Sequence, residues 1–194
     1  SNNVASNGGG ASYVNCRRCR FLDNVAPRYA GAVRYGSLYN CYFAGNRGDR
    51  VTECLYDCVN CTYGDNEKLD GSASVIFENM GDCATLANVV VCGKVRTGAS
   101  AADQSALNAK ALYNCIFPKE MRVKNPPEDA VGLDMTHTLE ELRAQFVDGY
   151  PASKDSVAVD AGFALAEAGD ADVLGAARVQ NAALDVGAFE YSWL

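Results

Sequence analysis

An all-β, right-handed parallel β-helix is the fold class this sequence predicts. Three observations predict it: a short template recurring at steps in the twenties, a column of asparagines inside that template, and a glycine-rich segment that repeats seven residues ahead of it. A short helix and a C-terminal capping segment complete the expected architecture.

The template runs apolar residue, any residue, Asn, Cys, any residue, then an aromatic or aliphatic residue, often with a further Asn three positions on. Leu38-Tyr39-Asn40-Cys41-Tyr42-Phe43-Ala44-Gly45-Asn46 and Cys58-Val59-Asn60-Cys61-Thr62-Tyr63-Gly64-Asp65-Asn66 match at every key position. Cys16-Arg17-Arg18-Cys19-Arg20-Phe21 keeps the frame with Arg18 in place of Asn. Leu86-Ala87-Asn88-Val89-Val90-Val91 and Leu112-Tyr113-Asn114-Cys115-Ile116-Phe117 keep the core positions. The first positions, 16, 38, 58, 86 and 112, are separated by 22, 20, 28 and 26 residues, which suits a solenoid whose coils carry loops of varied length. Gly9-Gly10-Ala11-Ser12-Tyr13 precedes Cys16 as Gly31-Ala32-Val33-Arg34-Tyr35 precedes Leu38, and Asn3-Val4-Ala5 anticipates Asn24-Val25-Ala26. The chain is therefore expected to begin inside a repeat, as the C-terminal part of a longer solenoid.

The template has a physical logic. Strand residues of equal parity share a face, so Cys41 and Phe43 point together while Leu38 is out of phase with them. A bend must intervene. Asn tolerates the left-handed backbone region, so Asn40 is expected to turn the chain there and keep both strands' apolar side chains inward. Coils stacked at the strand spacing of about 4.8 Å then place Asn40, Asn60, Asn88 and Asn114 in one column.

Over residues 2 to 117 the Gly-Gly-Ala, Asn-Cys-x-Phe and Asn-x-Ala patterns resemble the right-handed parallel β-helix repeat proteins of bacteria. The tail segments Val159-Asp160-Ala161-Gly162, Asp172-Val173-Leu174-Gly175-Ala176-Ala177-Arg178 and Leu184-Asp185-Val186-Gly187-Ala188-Phe189-Glu190-Tyr191 resemble the closing segment of such proteins, including the choice-of-anchor proteins. In those relatives the middle element reads Asp-x-Asp-Gly-x-x-Arg; here the spacing after Asp170 and Asp172 differs, which weakens any Ca²⁺ site inferred from it. The resemblance implies a secreted or cell-surface setting and leaves activity open, since lyases, hydrolases, adhesins and proteins without known activity share the fold.

Residues 1-117 are thus read as coils, 118-156 as a linker with a short helix, and 157-194 as the closing segment of the same solenoid. Lys124-Asn125-Pro126-Pro127-Glu128-Asp129 reads as an exposed turn. Thr138-Leu139-Glu140-Glu141 is a capping box, with Leu139, Leu142 and Phe146 at helical spacing, so a helix is expected over about 139 to 146, packed on the solenoid's end.

A net charge of −7 argues against a nucleic-acid partner, and no stretch reaches the length of a membrane-spanning helix. Cys16-x-x-Cys19 and Cys58-x-x-Cys61 have zinc-like spacing, but they fall on inward positions that Leu38 and Leu112 also occupy. They therefore read as buried thiols, and no metal or cofactor is expected. In-register bridges fit poorly, leaving Cys54, Cys83 and Cys92 as the better disulfide candidates.

The candidate ligand-binding residues are Arg17, Arg20, Tyr39 and Tyr42, which flank the bend on adjacent coils. Guanidinium groups beside aromatic faces suit a glycan, although exposed sheet faces also carry Tyr and Arg without binding anything. Asp23, Asp49 and Asp65, with Arg47 and Arg50, are the nearest candidates for catalysis, and their turn positions also suit simple solvation. His137 stands alone before the helix, and Gly8-Gly9-Gly10 lacks the Lys-Ser or Lys-Thr of a phosphate loop. The expected function is a non-catalytic surface β-helix segment that binds carbohydrate or protein. The alternatives are the C-terminal part of a polysaccharide lyase or glycoside hydrolase, and a structural stalk. Self-association through the open N-terminal end is a further expected partnership.

Overall fold

The computed structural model describes residues 1–78, 85–94, 109–121, 123, 127–166 and 169–192. The chain forms a parallel β-solenoid. One sheet contains β1 (Ala11–Ser12), β2 (Cys16–Arg17), β4 (Val25–Tyr39), β6 (Arg47–Val59), β8 (Val75–Glu78), β9 (Thr85–Ala87) and β11 (Ala111–Tyr113). The second contains β3 (Arg20–Leu22), β5 (Tyr42–Ala44), β7 (Thr62–Tyr63) and β10 (Val90–Val91). Every pairing within these two sheets is parallel.

The register is the one the template spacing requires. Cys16, Leu38, Cys58, Leu86 and Leu112 are successive partners, as are Arg20, Tyr42, Thr62 and Val90. The bend between the sheets is also as expected: Asn40, Asn60, Asn88 and Asn114 take φ of 53°, 51°, 51° and 46°, and Arg18 takes 50° in the first coil. Their side chains form a ladder. Asn60 Nδ2 donates to Asn40 Oδ1 at 3.0 Å, and Asn88 Nδ2 donates to Asn60 Oδ1 at 2.7 Å. A second ladder runs through Asn3, Asn24, Asn46 and Asn66, each amide donating to the next Oδ1 at 2.9 to 3.0 Å. Buried amides are tolerated here because stacking gives each one a partner above or below.

The same bend explains the cysteines. In Cys19, Cys41, Cys61 and Cys115 the thiol donates to the carbonyl two residues back, on Arg17, Tyr39, Val59 and Tyr113, at 3.3 to 3.5 Å. A small side chain with a weak donor fits this inward site. Cys16, Cys19, Cys41, Cys58, Cys61, Cys92 and Cys115 are all free. Cys92 is buried and directs its thiol to Tyr63 O at 3.6 Å. Cys83 and the Cys54 side chain lie outside the described residues, as does 124–126 of the expected turn.

Inside the coils, Phe43 lies between Phe21, with centroids 5.0 Å apart, and Tyr63, at 4.5 Å, in nearly parallel stacks. Truncating Phe43 to Ala removes both contacts and leaves a cavity in a fully buried position. A loss of about 3–5 kcal/mol is expected, read as a lower urea midpoint.

Beyond the fifth rung, Val131 and Asp134 bridge to Tyr113 and Ile116, so part of the linker continues the stack. The capping box forms as the sequence predicts: Glu141 N donates to Thr138 Oγ1, and Thr138 N to Glu141 Oε2. The helix α1 spans Leu139–Ala144, ending before the expected 146 because Phe146 leaves it to begin β12 (Phe146–Val147), antiparallel to β13 (Tyr150–Pro151). Leu142 and Phe146 nevertheless pack on Val90 and Ile116 of the coils.

Candidate functional site

The structure brings the four candidate binding residues together in two pairs. The Arg17 guanidinium lies 4.1 Å from the centre of the Tyr39 ring, and that of Arg20 lies 6.0 Å from Tyr42. The arginines are exposed, whereas Tyr39 is 8% and Tyr42 4% accessible. What covers them is the chain's own tail. Leu165 packs with Tyr39, Val59, Ala87 and Tyr113, while Val173, Ala188 and Phe189 enclose Tyr42. Phe189 meets the Tyr42 ring edge-on at 5.2 Å, and burial pushes the Tyr42 phenol up to about 12.

The reason lies in the outward positions of the later coils. Tyr39 is followed by Val59 and Ala87, and Tyr42 by Thr62 and Val90, a face too small and apolar to stand in water. Residues 158–166 and 169–191 run over it as a strap. Phe163 N donates to Asn88 Oδ1 at 2.7 Å, Asn88 Nδ2 donates to Phe163 O, and Asn114 Nδ2 donates to Ala161 O. Ala188 N donates to Thr62 Oγ1 at 2.8 Å. The strap therefore takes up the asparagine ladder where that ladder would otherwise meet solvent.

A buried ionic cluster folds the strap on itself. Arg178 Nη1 lies 3.0 Å from Glu190 Oε1 and donates to Gly187 O, while its Nη2 donates to Asp185 O. Asp172 accepts from Leu174, Ala176 and Glu190 amides, and Asp185 from those of Asp160 and Tyr191. Desolvation lowers the pKa of Arg178 and raises that of Asp185. The Asp170 and Asp172 pair thus serves a turn: Asp172 caps backbone amides, and Asp170 O accepts from Arg178 N.

The aspartates weighed for catalysis are engaged separately. Asp49 lies 3.7 Å from Lys68, and Asp65 pairs with Arg143 while accepting from Lys94 N. Asp23 sits in a left-handed turn at φ 55°. Arg47 pairs with Glu67 at 3.6 Å, and the Arg50 guanidinium lies 6.0 Å from the Tyr29 ring. His137 Nδ1 is 3.3 Å from Asp134 Oδ2, beside the helix start. Burial pushes Cys92 and Cys115 up to about 12, which keeps both as thiols at neutral pH and unsuited to nucleophilic attack.

An exposed aromatic file lies on a different flank. Tyr13 and Tyr35 occupy matching positions on adjacent coils and stack at 4.5 Å. Both have left-handed backbones, φ 57° and 59°, an uncommon state for a bulky residue. Just beyond Tyr35, the register slips between Gly36 and Leu38, whose partners are Leu55 and Cys58. The extra residue bulges β6 and turns Tyr56 outward. Gly36 permits the close approach, since a Cβ there would sit 2.1 Å from Val14 O, with φ at 142°. Tyr13 is 75% and Tyr56 55% accessible. With Val14, Asn15 and Gly36 they border a groove of about 260 Å³. Arg34 lies 4.8 Å from the Tyr35 ring and 4.2 Å from that of Tyr29, held by Glu53 at 3.0 Å. The sequence carried part of a sign of this file: Tyr13 and Tyr35 keep the 22-residue step of Cys16 and Leu38, whereas Tyr56 follows 21 residues on, where the template steps 20.

No family model, curated protein or solved structure matches the chain.

Proposed function

We propose that the chain is a segment of a right-handed β-helix protein, secreted or on a bacterial cell surface, and that it binds glycans without cleaving them. The observation that carries this reading is the Tyr13–Tyr35–Tyr56 file. Tyr13, backed by the stacked Tyr35, and Tyr56 are the accessible rings; each offers a flat apolar face with a hydroxyl at its edge, and the Asn15 amide stands beside them. Sugar rings require that combination of stacking face and hydrogen bonds. The right-handed coil is the hand that parallel crossovers favour. The choice-of-anchor-like ending supports the surface setting through the resemblance of its sequence.

The test is a screen of immobilised oligosaccharides with the whole chain, followed by calorimetry on the best ligand. Tyr13→Ala and Tyr35→Ala are each expected to weaken binding about tenfold, the scale of one lost aromatic contact. Arg17→Ala and Arg20→Ala probe the other face and leave this affinity unchanged. Absence of glycan binding together with capture of a protein ligand through the same tyrosines would replace glycan by protein in the proposal. Release of new reducing ends or unsaturated products from a bound polysaccharide would overturn its non-catalytic part.

A further inference from the structure

We propose that the cleft beside the Tyr42 hydroxyl is a second carbohydrate site, shaped for a single neutral sugar ring and independent of the Tyr13–Tyr35–Tyr56 file.

The cleft lies where the hairpin of β12 and β13 stands over the second sheet. Ala44, Gly45 and Gly64, from two successive coils, form its floor, with Phe146 as one wall and the Asp148–Gly149 turn as another, and it encloses about 330 Å³. That volume is at the low end of small-molecule sites, room for one ring and not for a chain of them. Glycine sets the shape at two points. A Cβ on Gly149 would run into the Tyr42 ring, so glycine there lets the turn close on the tyrosine. A Cβ on Gly64 would stand 3.2 Å from the Tyr42 hydroxyl and take up the space beside it.

That hydroxyl is the polar group left over. Tyr42 is 4% accessible and its ring is held by Phe189, yet its phenol has no hydrogen-bond partner among the described residues. A buried hydroxyl calls for a donor or an acceptor. Its neighbours around the cleft are engaged elsewhere: Asp65 pairs with Arg143 and accepts from Lys94 N, and the Cys92 thiol is directed to Tyr63 O.

Charge decides the class of ligand. Asp65 and Asp148 bring two negative charges to the rim, and Arg143 and Arg20 bring two positive ones, the Arg20 guanidinium lying 6.0 Å from the centre of the Tyr42 ring. A balanced rim favours neither a cation nor an anion. It offers acceptors on the carboxylates, donors on the guanidiniums and a phenol that does both. The hydroxyls of a sugar use all three, because each donates once and also accepts, while the C–H face of the ring suits Phe146 and Ala44.

An NMR titration of the whole chain with glucose, galactose and mannose, each alone, tests the site. At least one is expected to bind in the millimolar range and to shift the amides of Gly45, Gly64 and Gly149. Tyr42→Phe removes only the hydroxyl. It is expected to weaken that sugar about three- to tenfold, the scale of one neutral hydrogen bond, with the urea midpoint unchanged because the hydroxyl bonds to nothing else described in the chain. Asp148→Asn keeps a residue suited to the left-handed turn at φ 51° and is expected to weaken it by a similar factor. Tyr13→Ala leaves these shifts intact, so failure of the tyrosine file and failure of this cleft are read separately. Absence of shifts at those glycines with all three sugars overturns the proposal, as does an affinity unchanged in Tyr42→Phe, or shifts produced by methylammonium or acetate in place of the sugars.

Discussion

Asn88→Ala is expected to lower the unfolding free energy by about 4 kcal/mol. Two effects add. Asn88 holds φ at 51°, and an Ala in the left-handed region costs about 1–2 kcal/mol. The rest comes from lost partners, of which Asn60 Oδ1 is stranded in a fully buried site and the Phe163 backbone groups lie at its edge. Asn60 Oδ1 loses its donor, and Phe163 loses partners for both its N–H and its carbonyl. A buried group left unpaired costs about 1–3 kcal/mol. Asn88→Gly separates the two effects, because glycine accepts the backbone angle without restoring the bonds; it should recover the smaller share. Urea unfolding at unchanged slope provides the measurement. Equal stability of the Ala variant and the natural chain would mean that the ladder does not hold the strap.

Arg178→Ala has an expected effect of similar size, about 3–5 kcal/mol, because it leaves buried carboxylates without their cation. The damage should be local to the strap. Amides at 184–191 lose protection, Tyr42 becomes accessible, and the coils' own amides keep their exchange rates. Lowering the pH toward 4 should restore part of the loss, since protonating Asp185 and Glu190, whose carboxyls burial pushes up, reduces the repulsion that the substitution creates. Thermal melts across that range, followed by near-UV dichroism, read the recovery. A variant that is no more stable at low pH would show that Arg178 acts by packing alone.

The coils were legible because each turn repeats one chemical demand. An Asn at the bend, replaced by Arg18 in the first coil, a small thiol two positions after the outward residue, replaced by Val89 in the fourth, and an aromatic or aliphatic residue beyond it recur at the same corner, so the positions 16, 38, 58, 86 and 112 translate directly into register. The capping box was legible for the same local reason. The outward face was not. Tyr39 beside Arg17 reads as a solvent-facing aromatic until Val59, Ala87 and Val90 are followed along the same columns, and only then does the face call for a cover. What covers it lies about a hundred residues away, and sequence spacing carries no information about that contact. The Tyr13–Tyr35–Tyr56 file was half visible: the first two tyrosines keep the repeat, whereas the third reaches the flank through a bulge that shifts the register by one residue.

The strap also sets an order of assembly. Bonds between neighbouring coils join residues about twenty to thirty apart, so each coil can close on the one before it while the chain is still being made. The bond from Ala188 to Thr62 spans 126 residues, and that from Phe163 to Asn88 spans 75. These long closures come last. Until they form, Val59 and Ala87 in one column and Val90 in the next are a bare adhesive flank, and an emerging chain is most prone to clump with its neighbours in the interval between finishing these coils and receiving the strap.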